Sequence, residues 1–292
     1  MAGIETAEQV QRGLSVDGGV GSRGFGSILS SSELFGSAQA VIKAVCDSLF
    51  VVVKGLALSA DDLRTISQRL GMLVHHKQDA ASVGYGYGDV LSLNADSDPD
   101  KVVTGRGMLP LHTDGVLLAT PVDFSLLYCV SQRGDPASGA THICDQETAW
   151  KEMPRDLRAV FEENGLEYQA VEAGYFPPLA GQSWFSVPAF KEYERGPALN
   201  IALPFAEGAP ASWRVRVAGV GEDLSKRKLA EIATFLSQPR YTYVHAWCPG
   251  DLLIFDNHYT LHGRSAIHPG AAREVLRSQI VVERTMGDRG RG

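Results

Sequence analysis

Apolar positions alternate between helical and strand spacing along the chain. Ala38–Leu49 carries them at helical spacing, and Phe50–Lys54 is a β-branched run ending at Gly55, the pattern of a buried strand. Ser59 then offers an N-cap, with Asp61 and Asp62 in the first turn. Leu63, Ile66 and Leu70 form one apolar face, and Gly71 supplies a C-cap. Residues 1–36 read as an irregular lead-in with one short strand near Phe25–Leu29. Residues 77–107, with GYGYGD, DSDPD and TGRG, read as a long loop, which in a compact domain points to a lid. Phe124–Val130 is a predicted strand and Thr148–Asn164 a predicted helix. Gly and Pro interrupt 170–222, leaving short strands at best, and 174–192 is a second candidate lid. Ser225–Leu236 is a predicted helix. Tyr241–Trp247, Asp251–Asp256 and Arg273–Glu283 are predicted strands, the first two joined by a Pro249-Gly250-Asp251 turn. Short strands with turn punctuation and a few helices predict an antiparallel sandwich with helical decoration, mostly β with flanking helices (α+β).

At 292 residues and 44% hydrophobic, the chain fits one domain over 1–292. A domain this size buries roughly 75% of its unfolded surface, so a metal is not needed as a staple and is free for chemistry. A net charge of −7 without a Lys/Arg-rich run argues against nucleic acid or an anionic membrane as partner. Four cysteines without a C-x-x-C pair read as reduced thiols. The N-terminus lacks the basic and apolar segments of a signal peptide, and no apolar run reaches membrane-spanning length. A cytoplasmic protein with a small-molecule partner is expected, with homo-oligomerisation left open.

His112-Thr113-Asp114 is the most informative tripeptide. On an extended segment, residues i and i+2 share a face, so an imidazole and a carboxylate converge on one ion. His262 is the best third ligand, giving two histidines and one carboxylate with coordination positions left open. Arg273 and Arg277 follow it by 11 and 15 residues and share one face of a predicted strand with Val275 and Gln279. If that face is interior, each guanidinium calls for an anion or full hydrogen bonding. Leu276 and Ile280 on the other face leave an exterior strand with solvated arginines equally open. The Gly84–Gly88 repeat lacks the G-K-[ST] ending of a phosphate loop, and Gly18–Gly21 does not join a strand to a helix. His142, His245, His258 and His268 read as surface or core residues, and Trp150 and Trp247 as core.

In combination, VVVKGL at 51–56, LHTDG at 111–115, SGAT at 138–141, PGDLLIFDN at 249–257, LHGR at 261–264, Arg273 and Arg277 resemble the taurine dioxygenase-like (TauD/TfdA) family. These are Fe(II)/2-oxoglutarate-dependent oxygenases, and the matching pieces run through most of the chain. The spacing near the C-terminus is closer to the bacterial natural-product branch. The resemblance implies a double-stranded β-helix (jelly-roll) core, Fe(II) as cofactor, and 2-oxoglutarate and O2 as co-substrates. It assigns His112, Asp114 and His262 to iron, Thr141 and Arg273 to the distal carboxylate of 2-oxoglutarate, and Arg277 to the substrate. His76 (or His75) and Asn94 fall near further substrate contacts. Halogenating relatives replace the metal carboxylate, so Asp114 favours hydroxylation or desaturation. The expected substrate is small and anionic or zwitterionic, an amino acid or an amino-acid-derived natural-product intermediate. The alternatives are a sulfonate (taurine-like) dioxygenase, a zinc hydrolase on the same triad, and a catalytically silent jelly-roll protein that binds a small acid.

Overall fold

The computed structural model describes residues 19–74, 89–94, 96, 101–172, 176, 179 and 181–282. Its larger sheet holds seven strands: β1 (Ser27–Leu29), β2 (Phe50–Val53), β3 (Met72–Leu73), β4 (Val90–Asn94), β6 (Phe124–Arg133), β14 (Leu252–Asp256) and β16 (Ala272–Val281). Their order is β1-β2-β14-β6-β16, and β3 and β4 both pair with β16. The smaller sheet has β5 (Leu109–His112), β7 (Thr141–Asp145), β13 (Thr242–His245) and β15 (Thr260–Arg264), in the order β13-β7-β15-β5. Both are antiparallel except for the β1–β2 pair. The two sheets form the antiparallel sandwich that the sequence pattern predicts, the jelly-roll core that the family resemblance implies. β8 (Leu166–Ala170), β9 (Phe185–Val187) and β12 (Trp213–Val217) make a separate small sheet, and β10 (Phe190–Tyr193) pairs with β11 (Gly196–Leu199). Among the described residues no helix is long and apolar enough to cross a membrane.

The larger sheet is covered on both faces. Leu34, Val41, Val45, Leu63, Ile66 and Leu70, from the helices Ser31–Phe35, Ala38–Ser48 and Ala60–Leu70, pack on Val51, Val53, Ile254, Leu276 and Ile280. On the other face Val52, Leu127, Leu253 and Val275 meet Ile143 and Tyr243 of the smaller sheet. This double burial explains the ambiguity of β16. Leu276, Ser278 and Ile280 lie under helices, while Arg273, Val275, Arg277 and Gln279 face the interior between the sheets. The interior alternative holds.

Local chemistry accounts for most boundaries. Ser59 and Asp62 form a reciprocal capping box, with Asp62 N to Ser59 Oγ at 3.1 Å and Ser59 N to Asp62 Oδ2 at 2.8 Å. Gly71 is the C-cap of that helix, in extended backbone. Its lack of a side chain serves packing, since a Cβ there would lie 2.6 Å from Val281 O. The predicted helix 148–164 is two helices, Gln146–Glu152 and Arg155–Ala159, followed by a wider turn at Val160–Asn164. Pro154 holds Met153 in extended backbone and splits them. The predicted loop 77–107 contains β4, whose Leu91 and Leu93 point inward while Val90, Ser92 and Asn94 take the other face. Residues 77–88, 95 and 97–100 of that stretch lie outside the described residues, as do 174–175, 177–178 and 180 of the second candidate lid.

Candidate active site

β5 and β15 are adjacent and antiparallel, with His112 directly opposite His262. The ladder shifts register just beyond this pair, and Gly263 makes the shift fit: a Cβ there would meet Leu109 O at 2.7 Å. The two imidazoles therefore lie side by side, tilted 44° to one another with ring centroids 4.2 Å apart. Asp114, two residues beyond His112, closes the group. Its Oδ1 lies 3.7 Å from His112 Nε2 and its Oδ2 3.6 Å from His262 Nε2.

The surroundings hold these groups in a metal-binding state. His112 Nδ1 is 2.9 Å from Pro110 O, an acceptor only, so the proton sits on Nδ1 and Nε2 presents its lone pair. Burial, with the neighbouring His112 adding to it, pushes His262 down to about 3, keeping it neutral. Burial pushes the Asp114 carboxyl up, but the neighbouring His262, His112 and Arg277 outweigh it and hold it well below the usual carboxylate range. Ser125 Oγ donates to Asp114 Oδ2 at 2.8 Å. Asn257 grips the Asp114 backbone, accepting from its N–H at 2.9 Å and donating to its carbonyl at 3.1 Å. Two imidazole nitrogens and an ionised carboxylate, with ligand atoms within 4.8 Å of one another, suit one divalent cation. They are the one such group among the described residues.

The same cavity receives Thr141, Arg264, Arg273, Arg277 and Gln279. Arg273 and Arg277 are 4% and 8% exposed. Arg273 Nη1 donates to Gly139 O. Burial lowers Arg264 to about 10, and burial with the charge of Arg264 lowers Arg273 to about 9, so both stay charged at neutral pH. Trp247, expected only as core, is fully buried and also donates from Nε1 to Thr141 Oγ1 at 3.1 Å. With that lone pair engaged, the Thr141 hydroxyl hydrogen is directed away from the indole.

Leu91, Leu93, Val103, Val116, Leu117, Leu118, Phe176 and Trp213 give the cavity an apolar wall. Residues 102–107 of the first candidate lid pack into the cavity wall. Residues 102–105 are buried. Arg264 donates to Val103 O at 2.6 Å, Gly107 O at 2.7 Å and Val102 O at 3.1 Å. Arg106 O accepts from Ile267 N at 2.8 Å.

The structure thus brings His112, Asp114, His262, Thr141, Arg273 and Arg277 into one cavity. Asn94 is not among them: it sits on β4 opposite Glu274, on the other face from Leu91 and Leu93, and accepts from Asp96 N. His75 and His76 lie outside the described residues. His258 stays apart from the triad, paired with Asp123 at 2.8 Å and stacked on Tyr193. Sequence reasoning passed over Ser125, Asn257 and Arg264. The last two stand in the motifs FDN and LHGR, which mark them as candidates without revealing what they touch.

Residues 20–279 match the model of the "Taurine catabolism dioxygenase TauD, TfdA family". The tyrosine isonitrile desaturase of Erwinia amylovora is 28% identical over 66% of this chain and 66% of its own length. The 3-((Z)-2-isocyanoethenyl)-1H-indole synthase of Fischerella ambigua is 22% identical over 88% of this chain and 93% of its own. The structure of PvcB, an Fe, alpha-ketoglutarate dependent oxygenase from an isonitrile synthetic pathway, superposes with a TM-score of 0.65 at 21% identity, covering 89% of this chain and 87% of that one. The chain belongs to the TauD/TfdA family of Fe(II)- and 2-oxoglutarate-dependent dioxygenases.

Proposed function

We propose that the protein hydroxylates or desaturates a small carboxylic acid derived from an amino acid, with an aromatic or otherwise apolar side chain. Fe(II) is held by His112, Asp114 and His262, the distal carboxylate of 2-oxoglutarate by Thr141 and Arg273, and the substrate carboxylate by Arg277. The observation that carries this reading is that a metal-competent triad and the inward face of an arginine-bearing strand line one cavity with an apolar wall. The relatives act in the same direction: one is named for a tyrosine isonitrile and the other for an indole product.

Bound iron with 2-oxoglutarate and O2 supplies the oxidising power, with succinate and CO2 as by-products. The chain's own residues do the rest. His112 and His262 offer ring-nitrogen lone pairs, and Ser125 and Asn257 orient Asp114. Arg277 turns the carboxylate of the substrate toward one side, which presents the adjoining carbon chain to the metal side. Val103, Leu117 and Trp213 exclude water from that space.

The test is substrate-stimulated succinate formation over a panel of N-modified aromatic amino acids, free amino acids and taurine. Stimulation by the aromatic acids supports the reading, and stimulation by taurine alone overturns the substrate class. Binding of 2-oxoglutarate without consumption under any condition would leave a silent acid-binding protein. A first check is the visible spectrum of the anaerobic Fe(II)/2-oxoglutarate complex. A weak charge-transfer band should appear, vanish in His112→Ala and weaken in Arg273→Ala.

A further inference from the structure

Arg264 leaves β15 on the same side as His262, two residues earlier, and its direct cross-strand partner on β7 is Thr141. Arg264 is 4% exposed. Nη1 and Nη2 are engaged by the carbonyls of Val102, Val103 and Gly107, while Nε is buried with no partner. Arg273 repeats the arrangement. Its Nη1 meets only the Gly139 carbonyl, two residues before Thr141, and its Nε is also buried without a partner. Both line the cavity and are near enough to repel one another. Among the described residues neither has a carboxylate within ion-pair distance. Two adjacent buried cations resting on neutral carbonyls are costly unless an anion joins them.

We propose that Arg264 and Arg273 form a two-guanidinium seat for one terminal carboxylate of a dicarboxylic acid, with Arg264 at the same time tying residues 102–107 to the cavity wall. This rests on the co-substrate reading above, in which that carboxylate is the distal one of 2-oxoglutarate. One carboxylate oxygen meets each arginine, and the Thr141 hydroxyl, turned away from Trp247, donates a third hydrogen bond. Arg264 then links co-substrate binding to the wall that Val103 presents to the substrate.

The test is calorimetric titration of Mn(II)-loaded protein with 2-oxoglutarate and with 2-oxobutyrate, which has the same chelating end but no distal carboxylate. Arg264→Met should weaken 2-oxoglutarate roughly tenfold or more and leave 2-oxobutyrate unchanged. Arg264→Gln keeps donors for the loop carbonyls while removing the charge, and should show the same selective loss even if the Met variant fails to fold. Arg264→Lys should retain most of the preference. Equal weakening of both acids in the Gln variant, or no change in either, overturns the seat while leaving the co-substrate reading standing. Wild-type protein that binds the two acids equally would instead overturn the co-substrate reading, and the seat with it.

Discussion

Asp114 and Arg273 line the same cavity, are similarly buried, and are supported in different ways. Around Asp114 the polar contacts interlock: Ser125 bonds its carboxylate, Asn257 bonds its backbone on both sides, and Pro110 sets the tautomer of His112. Around Arg273 and Arg264 the partners are backbone carbonyls, and each Nε has none. A carboxylate that must hold one small cation in fixed geometry gains from rigid, hydrogen-bonded neighbours. A group that must take up and release an acid at each turnover gains from donors left for the ligand. The contrast implies that the two sets can be damaged separately.

Asp114→Ala tests this most severely. It should remove metal binding, read by Mn(II) titration, and leave no measurable turnover; full retained turnover would sink the triad. Next comes Arg273→Met, which should cost 2-oxoglutarate about 2–3 kcal/mol of affinity, on the order of a hundredfold, with Mn(II) affinity unchanged. A parallel loss of metal would show that the two sets are one unit. Asn257→Ala reverses that test, weakening Mn(II) by roughly 10–100-fold while the acid preference survives. Trp247→Phe removes one hydrogen bond to Thr141 and should weaken 2-oxoglutarate by about 1 kcal/mol. Trp247→Phe made on a Thr141→Val background should add nothing further.

The smallest effect is on pH. Burial holds His142 down to about 4 and His262 to about 3, from the ordinary 6.5. The unfolded chain takes up both protons first, so metal-free protein should lose stability as pH falls below 6.5. The decline due to His142 ends near 4. Asp114 stays ionised in that window; its contribution is present above 3.8 and lost only on further acidification. Thermal midpoints against pH should show this slope, and His142→Gln, which removes one of the two protons, should flatten it.

Legibility differed by element. The capping box at Ser59, the run Phe50–Val53 and the helix ending at Leu236 were readable because each depends on neighbours within a turn or a pleat. β5, β7 and β15 were not. LPLH, THICD and TLHGR are short and do not alternate cleanly, and they are strands because they pair with one another. β4 was hidden among Gly- and Asp-rich flanks, and Asn94, expected near the substrate, falls on its other face.

By itself the sequence determined the donor set and its spacing: His112 and Asp114 two residues apart, His262 far along the chain, and Arg273 and Arg277 four apart on one strand face. Such facts follow from residue chemistry and the fixed period of extended backbone. Only the tertiary structure decided which face of β16 is interior, because helices cover its other face and make both faces read alike. Tertiary structure also decided what Trp247 and Arg264 do. Their bonds to Thr141 and to Val103 span 106 and 161 residues of chain, and at that separation contact is set by how the two sheets close, not by any local pattern.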